Sequence, residues 1–207
     1  MTPAELAALM SSADQTWRTP TKILNLVKQI APIALDPATD AENPTGAALF
    51  VAGVYGPLPA QPLYSWQANG GTGIEWDGLE VDWLEASQGG LVFCNPPYGD
   101  ALLTWAKKFA LEWSRGTELL TLTPMRSDTE WFQDFIEPYT VRCCWRGRMK
   151  FGNATNSAPF PSVLAYNGPR VARFAEVFEP YGRLEHRYTA PQREKEYMVR
   201  TFLDVIP

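Results

Sequence analysis

The residues best suited to chemistry are Asn95, Pro96 and Tyr98, which lie in the stretch LVFCNPPYGD from 91 to 100. An exocyclic aromatic amine is a poor nucleophile, because its lone pair is delocalised into the ring. The Asn95 side-chain oxygen and the Pro96 carbonyl oxygen can accept the two amine hydrogens and so free that lone pair. Tyr98 can stack on the flat face of the same ring. These residue types suit chemistry on an aromatic amine; the alternative is a rigid turn, which Asn and Pro both favour.

The surrounding pattern predicts the elements that position these residues. The apolar run at 91–94 is short and bounded by turn residues, so it predicts a buried strand. Two prolines then form a stiff corner at the carboxyl end of that strand, which is where open α/β sheets place their ligands. Further strands are predicted at 33–37, 118–123, 140–145 and 162–166. Helices are predicted over 4–10, after an N-cap at Thr19, after Asp100, after Ser127 and over 169–181.

Length and composition indicate one soluble domain. The chain has 207 residues, 45% of them hydrophobic, which is enough to bury one core in a single domain over 1–207. No apolar run is long enough for a membrane span, and the start has no leader pattern, so we expect a cytoplasmic protein without a membrane partner. Three cysteines are too few and too poorly spaced for a metal site, and no metal is expected. The one histidine, His186, lies in a charged late segment, which leaves no His-based mechanism.

Two segments carry no predicted site. Residues 53–73 are rich in Pro and Gly, and we interpret them as a long surface excursion because no strand–helix frame surrounds them. The tail after Leu184 is highly charged and receives no assignment.

Two acidic residues and one helix start are candidates for holding a ligand. Thr19 and Pro20 open a helix whose N-terminus is a ready anion site. Asp36, followed by Pro37 at a strand end, either caps a turn or faces the ammonium group of a cofactor. Asp77 either accepts from a cofactor amine or caps a turn, and the sequence leaves both open. A dinucleotide-binding Gly-x-Gly turn is missing after Asp36.

The basic residues are clustered although the chain is acidic, with a net charge of −5. The densest basic group comprises Arg142, Arg146, Arg148 and Lys150, with Arg126 nearby in sequence. It leads into a polar loop that ends in aromatic residues, so that 146–161 forms a candidate DNA-facing loop. Basic residues interleaved with aromatic ones suit a nucleic-acid surface, whereas an ordinary solvated loop is the alternative.

In this order, the pieces resemble the phage-type DNA N6-adenine methyltransferase family, the small Dam-like enzymes of bacteriophages and prophages. The resemblance runs from about Trp17 to about Tyr166. It rests on WRTP at 17–20, LDPA at 35–38, DGL at 77–79 before DW at 82–83, CNPPYG at 94–99, RSDTEWF at 126–132, RGRMKFG at 146–152 and NSAPFPS at 156–162. One such motif is weak, but seven in order are specific.

The resemblance implies a Rossmann-like methyltransferase fold, with a mostly parallel sheet flanked by helices, S-adenosyl-L-methionine as cofactor and adenine in DNA as acceptor. Asn95 and Pro96 would engage the target amine while Tyr98 stacks on the base. The residues facing the cofactor would be Thr19, Pro20, Asp36, Pro37, Asp77 and Asn95. The residues facing DNA would be Arg126, Arg146, Arg148, Lys150, Asn156 and Ser157. The protein would then be a phage or prophage product that acts in the cytoplasm of a bacterial host.

Two alternatives remain open. The Asn-Pro-Pro-Tyr loop also occurs in enzymes that methylate protein glutamine or RNA, and a basic surface beside the loop would favour nucleic acid over protein. The chain could instead be a catalytically silent DNA-binding protein that keeps the fold. A cofactor cleft filled by side chains would support that second alternative.

Overall fold

The computed structural model describes residues 17–53, 63–152, 154 and 156–187. The helix expected over 4–10, residues 54–62 of the expected excursion and the end of the charged tail lie outside these described residues. Within them, no helix combines the length and the apolar character needed to cross a membrane.

The described part of the chain forms nine strands in one sheet, with helices on both faces. The strands are β1 Ile33–Thr39, β2 Leu49–Ala52, β3 Leu63–Ala68, β4 Gly71–Glu75, β5 Leu91–Cys94, β6 Leu119–Pro124, β7 Val141–Trp145, β8 Ser162–Asn167 and β9 Gly182–His186. The helices are α1 Thr21–Ile30, α2 Trp83–Ala86, α3 Leu102–Arg115, α4 Glu130–Phe135 and α5 Val171–Phe178, with 3-10 turns at Glu137–Tyr139 and Glu179–Tyr181. The strand order is β3-β4-β2-β1-β5-β6-β8-β7-β9.

Five neighbouring strands, β4-β2-β1-β5-β6, run parallel in the order of a doubly wound sheet. From β1 the chain moves outward through β2 to β4, then returns to β5 on the other side of β1, so the strand order reverses between β1 and β5. Strand β8 is antiparallel to both β6 and β7, which makes β7 run in the same direction as β6. The α/β class and the mostly parallel core of a helix-flanked sheet are therefore confirmed.

Two apolar layers bury the faces of the sheet. On one face, α1 contacts α5, and their buried residues join Leu120 and Leu164 of the sheet. On the other face, α2, α3 and α4 contribute Trp83, Phe109 and Phe132, each no more than 1% exposed. Full burial of a large apolar side chain contributes about 1.5–3 kcal/mol, so these layers hold the helices on the faces of the sheet.

The spacing of apolar residues correctly predicts the buried faces of α1 and α3. All five expected core residues of α3 are buried; they are Leu102, Trp105, Ala106, Phe109 and Trp113. All four expected core residues of α1 are buried as well; they are Ile23, Leu26, Val27 and Ile30. Gly116 ends α3 with a φ of 91°, a left-handed conformation that glycine adopts without steric cost.

The helix starts differ from the expected caps. Helices α1, α3 and α4 begin after Pro20, Ala101 and Thr129, and no described side chain caps any of them. The expected caps that do not serve are Thr19, Asp100 and Ser127. For Thr19 the physical reason is that its hydroxyl oxygen is used by Asn95 instead.

Part of the expected surface excursion is regular structure. Strands β3 and β4 pair as an antiparallel hairpin over 63–75, and β4 pairs in parallel with β2. Glycines permit this packing, because an added Cβ would lie 1.9 Å from the Ala47 carbonyl oxygen at Gly71 and 2.5 Å from the Trp66 ring at Gly73. These glycines therefore allow close approach within a sheet and do not form a loop.

The start of β9 and the connection between β1 and β2 also differ from the expected pattern. Gly182, which was expected to end a helix, begins β9, and β9 pairs with β7. Strands β1 and β2 are joined by residues 40–48 alone, without the usual crossover helix. The fully buried Asn43 stabilises this short connection, since its amide bonds the backbone of Ala47 and Ala68.

Candidate active site

The expected site residues lie together at one edge of the sheet. Strands β1, β4, β5, β6 and β7 run in one direction, so their carboxyl ends share this edge, and the antiparallel β8 starts there. The residues expected at the cofactor and the target amine follow three strands: Asp36 and Pro37 lie toward the end of β1, Asp77 follows β4, and Asn95 and Pro96 follow β5. The residues expected to face DNA lie beside them: Arg126 follows β6, Arg146, Arg148 and Lys150 follow β7, and Asn156 and Ser157 precede β8. Of this edge, the reversal point between β1 and β5 is where a ligand crevice is expected.

The Asn95 side chain is fixed by three hydrogen bonds. Its Nδ2 donates to Thr19 Oγ1 at 3.0 Å and to the Trp17 carbonyl oxygen. Its Oδ1 accepts from the Tyr98 hydroxyl at 2.7 Å. An amide oxygen has two lone pairs, so Oδ1 retains one for a second donor. The half-buried Asn95 can therefore accept one hydrogen of an amine.

Tyr98 is buried, with 5% of its surface exposed. Burial raises the pKa of its phenol well above the ordinary value, so the hydroxyl stays protonated. Its single hydrogen is donated to Asn95 Oδ1 at 2.7 Å and shared more weakly with the Leu122 carbonyl oxygen at 3.3 Å. The ring centroids of Trp17, Phe151 and Phe160 lie 6.4, 6.2 and 5.5 Å from the Tyr98 centroid. The expected stacking surface of Tyr98 is thus covered by aromatic side chains.

Sequence reasoning did not assign Trp17 to the site. It lies two residues before Thr19 in the WRTP motif, and that proximity to a predicted site residue was the one available signal. Its role depends on contacts between residues 78 positions apart, which no local pattern predicts.

The segment 17–20 connects three loops at this edge. Besides the contacts with Asn95, the Gly152 N–H donates to the Arg18 carbonyl oxygen at 2.7 Å, which attaches the loop after β7. The Arg18 guanidinium pairs with Asp40 at 2.5 Å and with Glu42 at 3.0 Å, which attaches the loop after β1. The WRTP motif is therefore in contact with the CNPPYG and RGRMKFG motifs and with the loop that follows β1.

Asp36 is buried at the reversal point, with 2% of its surface exposed. Its Oδ1 accepts from the Ala38 N–H at 3.1 Å, as a turn cap would. Burial raises the pKa of this carboxyl to about 7, and the Ala38 hydrogen bond opposes that rise only in part. Burial, with a smaller contribution from the Asp36 charge, raises the pKa of the Cys94 thiol well above its ordinary value. A cation placed here would recover the charge that burial disfavours.

Asp77 caps a turn, since its Oδ1 accepts from the Leu79 N–H at 2.9 Å. The next residue, Gly78, packs directly on β1, and an added Cβ there would lie 1.9 Å from the Pro37 carbonyl oxygen. The Trp83 indole fixes this loop by donating to the Gly78 carbonyl oxygen at 2.8 Å. The half-buried Asp77 is thereby held beside the end of β1.

The start of α1 is available to an anion. Helix α1 has ten residues and begins after Pro20, with no capping side chain among the described residues. The first backbone donors of such a helix need partners, and the helix dipole favours a negative group there. Because Thr19 contacts Asn95, this helix start lies beside the Asn95 side chain.

The expected DNA-facing residues are accessible, with one exception in the basic group. Arg126, Arg146, Arg148 and Lys150 are exposed, as are Asn156 and Ser157, and within the described residues none of the four cations forms a salt bridge. Arg142 is 3% exposed and bonds the Glu137 carbonyl oxygen at 3.1 Å, so it belongs to the fold and not to the basic surface. The exposed cations lie on the segments that follow β6 and β7.

Two buried hydroxyls near this edge have no hydrogen-bond partner among the described residues. They are Thr123 Oγ1 on β6 and Ser162 Oγ on β8, and both residues are 0% exposed. Ser162 shares its sheet face with Leu164 and therefore with the layer that contains Tyr98. Since buried polar groups are normally paired, a ligand atom is one group that could satisfy them.

The described residues contain no group of three or more His, Cys, Asp or Glu side chains that could hold a metal ion. Comparisons of the chain with protein families, with curated proteins and with solved structures find no match.

Proposed function

We propose that this chain transfers a methyl group from S-adenosyl-L-methionine to the exocyclic N6 amine of adenine in DNA. The observation that carries the proposal is the arrangement of Asn95, whose amide is oriented by Thr19 and Tyr98 at the sheet's reversal point. A turn residue needs no such orientation, whereas an amine acceptor does.

The sheet supports the proposal. The order of its five parallel strands is that of a doubly wound sheet, the type of sheet that the sequence resemblance implies. Ligands of such sheets bind outside the carboxyl ends of the strands where the order reverses. In this chain, that position lies between Asp36 of β1 and Asn95 after β5.

The donor set at this position suits the cofactor. S-adenosyl-L-methionine carries an ammonium, a carboxylate and an adenine, and it supplies an electrophilic methyl group when bound. The buried Asp36 carboxyl would hold the ammonium, and the uncapped start of α1 after Pro20 would hold the carboxylate. Asp77, fixed beside Pro37 by its turn, would accept from the adenine amine.

Asn95 and Pro96 would act on the target amine. The free lone pair of Asn95 Oδ1 and the Pro96 carbonyl oxygen accept the two N6 hydrogens, which localises the nitrogen lone pair. With the amine held by Asn95 and Pro96, the bound cofactor would supply its methyl group to the nitrogen, with the sulfur as leaving group and one amine proton released to solvent. The protein contributes chiefly positioning, which can lower such a barrier by about 7–11 kcal/mol.

The exposed cations favour a nucleic-acid acceptor over a protein acceptor. Arg126, Arg146, Arg148 and Lys150 lie at the same edge as Asn95. Phosphate contacts supply most of the non-specific affinity for DNA. Such local clustering offsets the net charge of −5, because fields near a site depend on nearby charges.

The test is tritiated methyl transfer from the cofactor to unmethylated DNA, followed by nucleoside analysis of the product. We expect label in N6-methyl-2′-deoxyadenosine of the wild-type reaction and at least about 10²–10³-fold less with Asn95→Ala. Parallel reactions with RNA and with protein acceptors decide the acceptor class. Label in glutamine alone would contradict the proposed acceptor, and label in none of them would contradict the activity.

A second candidate function is supported by the coverage of Tyr98. Trp17, Phe151 and Phe160 cover Tyr98, the residue on which a target base would stack, and a DNA-binding protein without catalysis would not need that surface free. That protein would bind DNA with a salt dependence set by the exposed cations and would transfer no methyl group to any acceptor.

A further inference from the structure

Trp17 occupies the face of Tyr98 on which a target base would stack. The two rings are stacked, with centroids 6.4 Å apart and planes inclined by 24°. Phe151 and Phe160 pack edge-on against the Trp17 ring, at 5.4 and 5.2 Å between centroids. An indole has nearly the size and flatness of a purine, and the surrounding aromatic edges would fit either ring.

We propose that the Trp17 ring is a built-in competitor of the target base, so that a purine must displace it from Tyr98 before Asn95 can engage the amine. The proposal rests on the function proposed above and adds an autoinhibitory contact to the same site. It assigns to Trp17 a role that neither the motif analysis nor the resemblance gave it.

The ring of Trp17 can leave without dismantling the site. Trp17 is half-buried, whereas Tyr98 is 5% exposed, so the Trp17 ring is the outer member of the pair. The hydrogen bond from Asn95 goes to the backbone oxygen of Trp17, so it does not depend on the indole. The bond from Asn95 Nδ2 to Thr19 Oγ1 also keeps the amide oriented when the ring moves.

The arrangement predicts an unusual effect of removing an aromatic residue. The attraction between two paired aromatic rings, in addition to the effect of their buried area, changes a binding constant by about 3- to 10-fold. The base must overcome that contribution in the wild-type protein but not in Trp17→Ala. A residue that merely supports the fold would give the opposite result, because its loss would loosen the site and weaken binding.

The experiment measures adenosine affinity of the full chain by calorimetric titration with S-adenosyl-L-homocysteine in excess, so that the cofactor's own adenine position is occupied and no methyl transfer occurs. We expect Trp17→Ala to bind adenosine about 3- to 10-fold more tightly than wild type. Trp17→Phe should give an intermediate affinity. The matched control is Trp145→Ala, because Trp145 is half-buried at the same edge and stacks on Tyr181 at 5.5 Å, away from Tyr98. Its adenosine affinity should equal that of wild type.

A second measurement covers the case in which Trp17→Ala folds poorly. Wild-type protein labelled with 5-fluorotryptophan is titrated with adenosine, and the Trp17 fluorine resonance is the one missing from labelled Trp17→Phe. We expect that resonance to shift saturably while the Trp145 resonance stays in place. An unmoved Trp17 resonance, an unchanged or weaker affinity in Trp17→Ala, or no adenosine binding by either protein would overturn the inference. Methyl transfer with unchanged adenosine affinity would leave the proposed function intact and reject only the role of Trp17.

Discussion

At the scale of single residues, the hydrogen bonds of the described residues leave Asn95 one acceptor position for a ligand, on its side-chain oxygen. Its two amide hydrogens go to Trp17 and Thr19, and one lone pair of Oδ1 accepts from Tyr98. Among the hydrogen bonds of the described residues, the remaining lone pair of Oδ1 has no donor. An Asp at this position would set a carboxylate oxygen against the Trp17 carbonyl oxygen, which explains why an amide suits the position better than an acid.

Replacing Asn95 should separate catalysis from cofactor binding. We expect Asn95→Ala to lower the methyl-transfer rate by at least about 10²–10³-fold, the usual effect of losing a preorganised transition-state hydrogen bond. Cofactor affinity, measured by calorimetry, should change little. Thr121→Val on the neighbouring strand β6 is the control, because it alters a buried side chain without touching Asn95. A folded Asn95→Ala protein that methylates at the wild-type rate would refute the catalytic role.

Asp36 should make stability depend on pH in a predictable direction. Its pKa rises from 3.8 to about 7 on folding, so its ionisation opposes the folded state. The contribution of the protonated form is fully present below pH 4 and is lost as the pH rises through about 7. At 1.36 kcal/mol per pKa unit, the free energy of unfolding of Asp36→Asn relative to that of wild type should increase by about 2–4 kcal/mol between pH 4 and pH 8. Urea unfolding of both proteins across this range measures the difference, and a constant difference would contradict the expectation.

At the scale of elements, the sequence predicts those with clear periodicity and misses those defined by close approach. The apolar run at 91–94 and the one-sided spacing from Leu102 to Trp113 correspond to β5 and α3. The β3–β4 hairpin was not predicted, because glycine-rich segments are usually loops. The residues against which its glycines pack, such as Ala47, lie far away in sequence. Helix caps were misplaced for a related reason, since tertiary partners such as Asn95 compete for the capping hydroxyl.

The loop that carries Asp77 offers a test of how one element positions another. In Gly78→Ala the new Cβ would lie 1.9 Å from the Pro37 carbonyl oxygen, so the loop must move away from β1. We expect a loss of about 1–3 kcal/mol in the free energy of unfolding, typical of overpacking, together with weaker cofactor binding. Gly53→Ala is the matched control, because no described residue lies within 4 Å of its added Cβ. Denaturant unfolding and calorimetry measure both effects, and equal stability of the two variants would show that the loop is not held against β1.

At the scale of the whole molecule, the candidate site is a product of topology. The residues that meet at the sheet edge come from segments as distant as 17–20 and 156–162. The motif order indicated which segments belong together, and the strand directions explain why their residues share an edge. The coverage of Tyr98 could not be predicted, because it depends on how Trp17 and Phe160 pack after the chain has folded.

The charge distribution of the whole molecule leads to a prediction about DNA. Arg148 and Lys150 are exposed at the carboxyl edge, after β7, whereas α5 begins at the opposite edge, where the antiparallel β8 ends. If each of the two cations neutralises one phosphate, its replacement by Ala should reduce the salt slope of DNA binding by about one unit. The control is Arg173→Ala, which removes an exposed charge from α5 and should leave the slope unchanged.

The measurement is DNA affinity across a salt series for wild type and the three variants, with free adenosine binding as a second readout. Adenosine carries no phosphate, so Arg148→Ala and Lys150→Ala should bind it as wild type does. A reduced slope with unchanged adenosine affinity assigns the loop after β7 to the DNA backbone. Equal slopes in all four proteins would remove DNA from this edge, and a protein acceptor for the Asn95 loop would then become the stronger hypothesis.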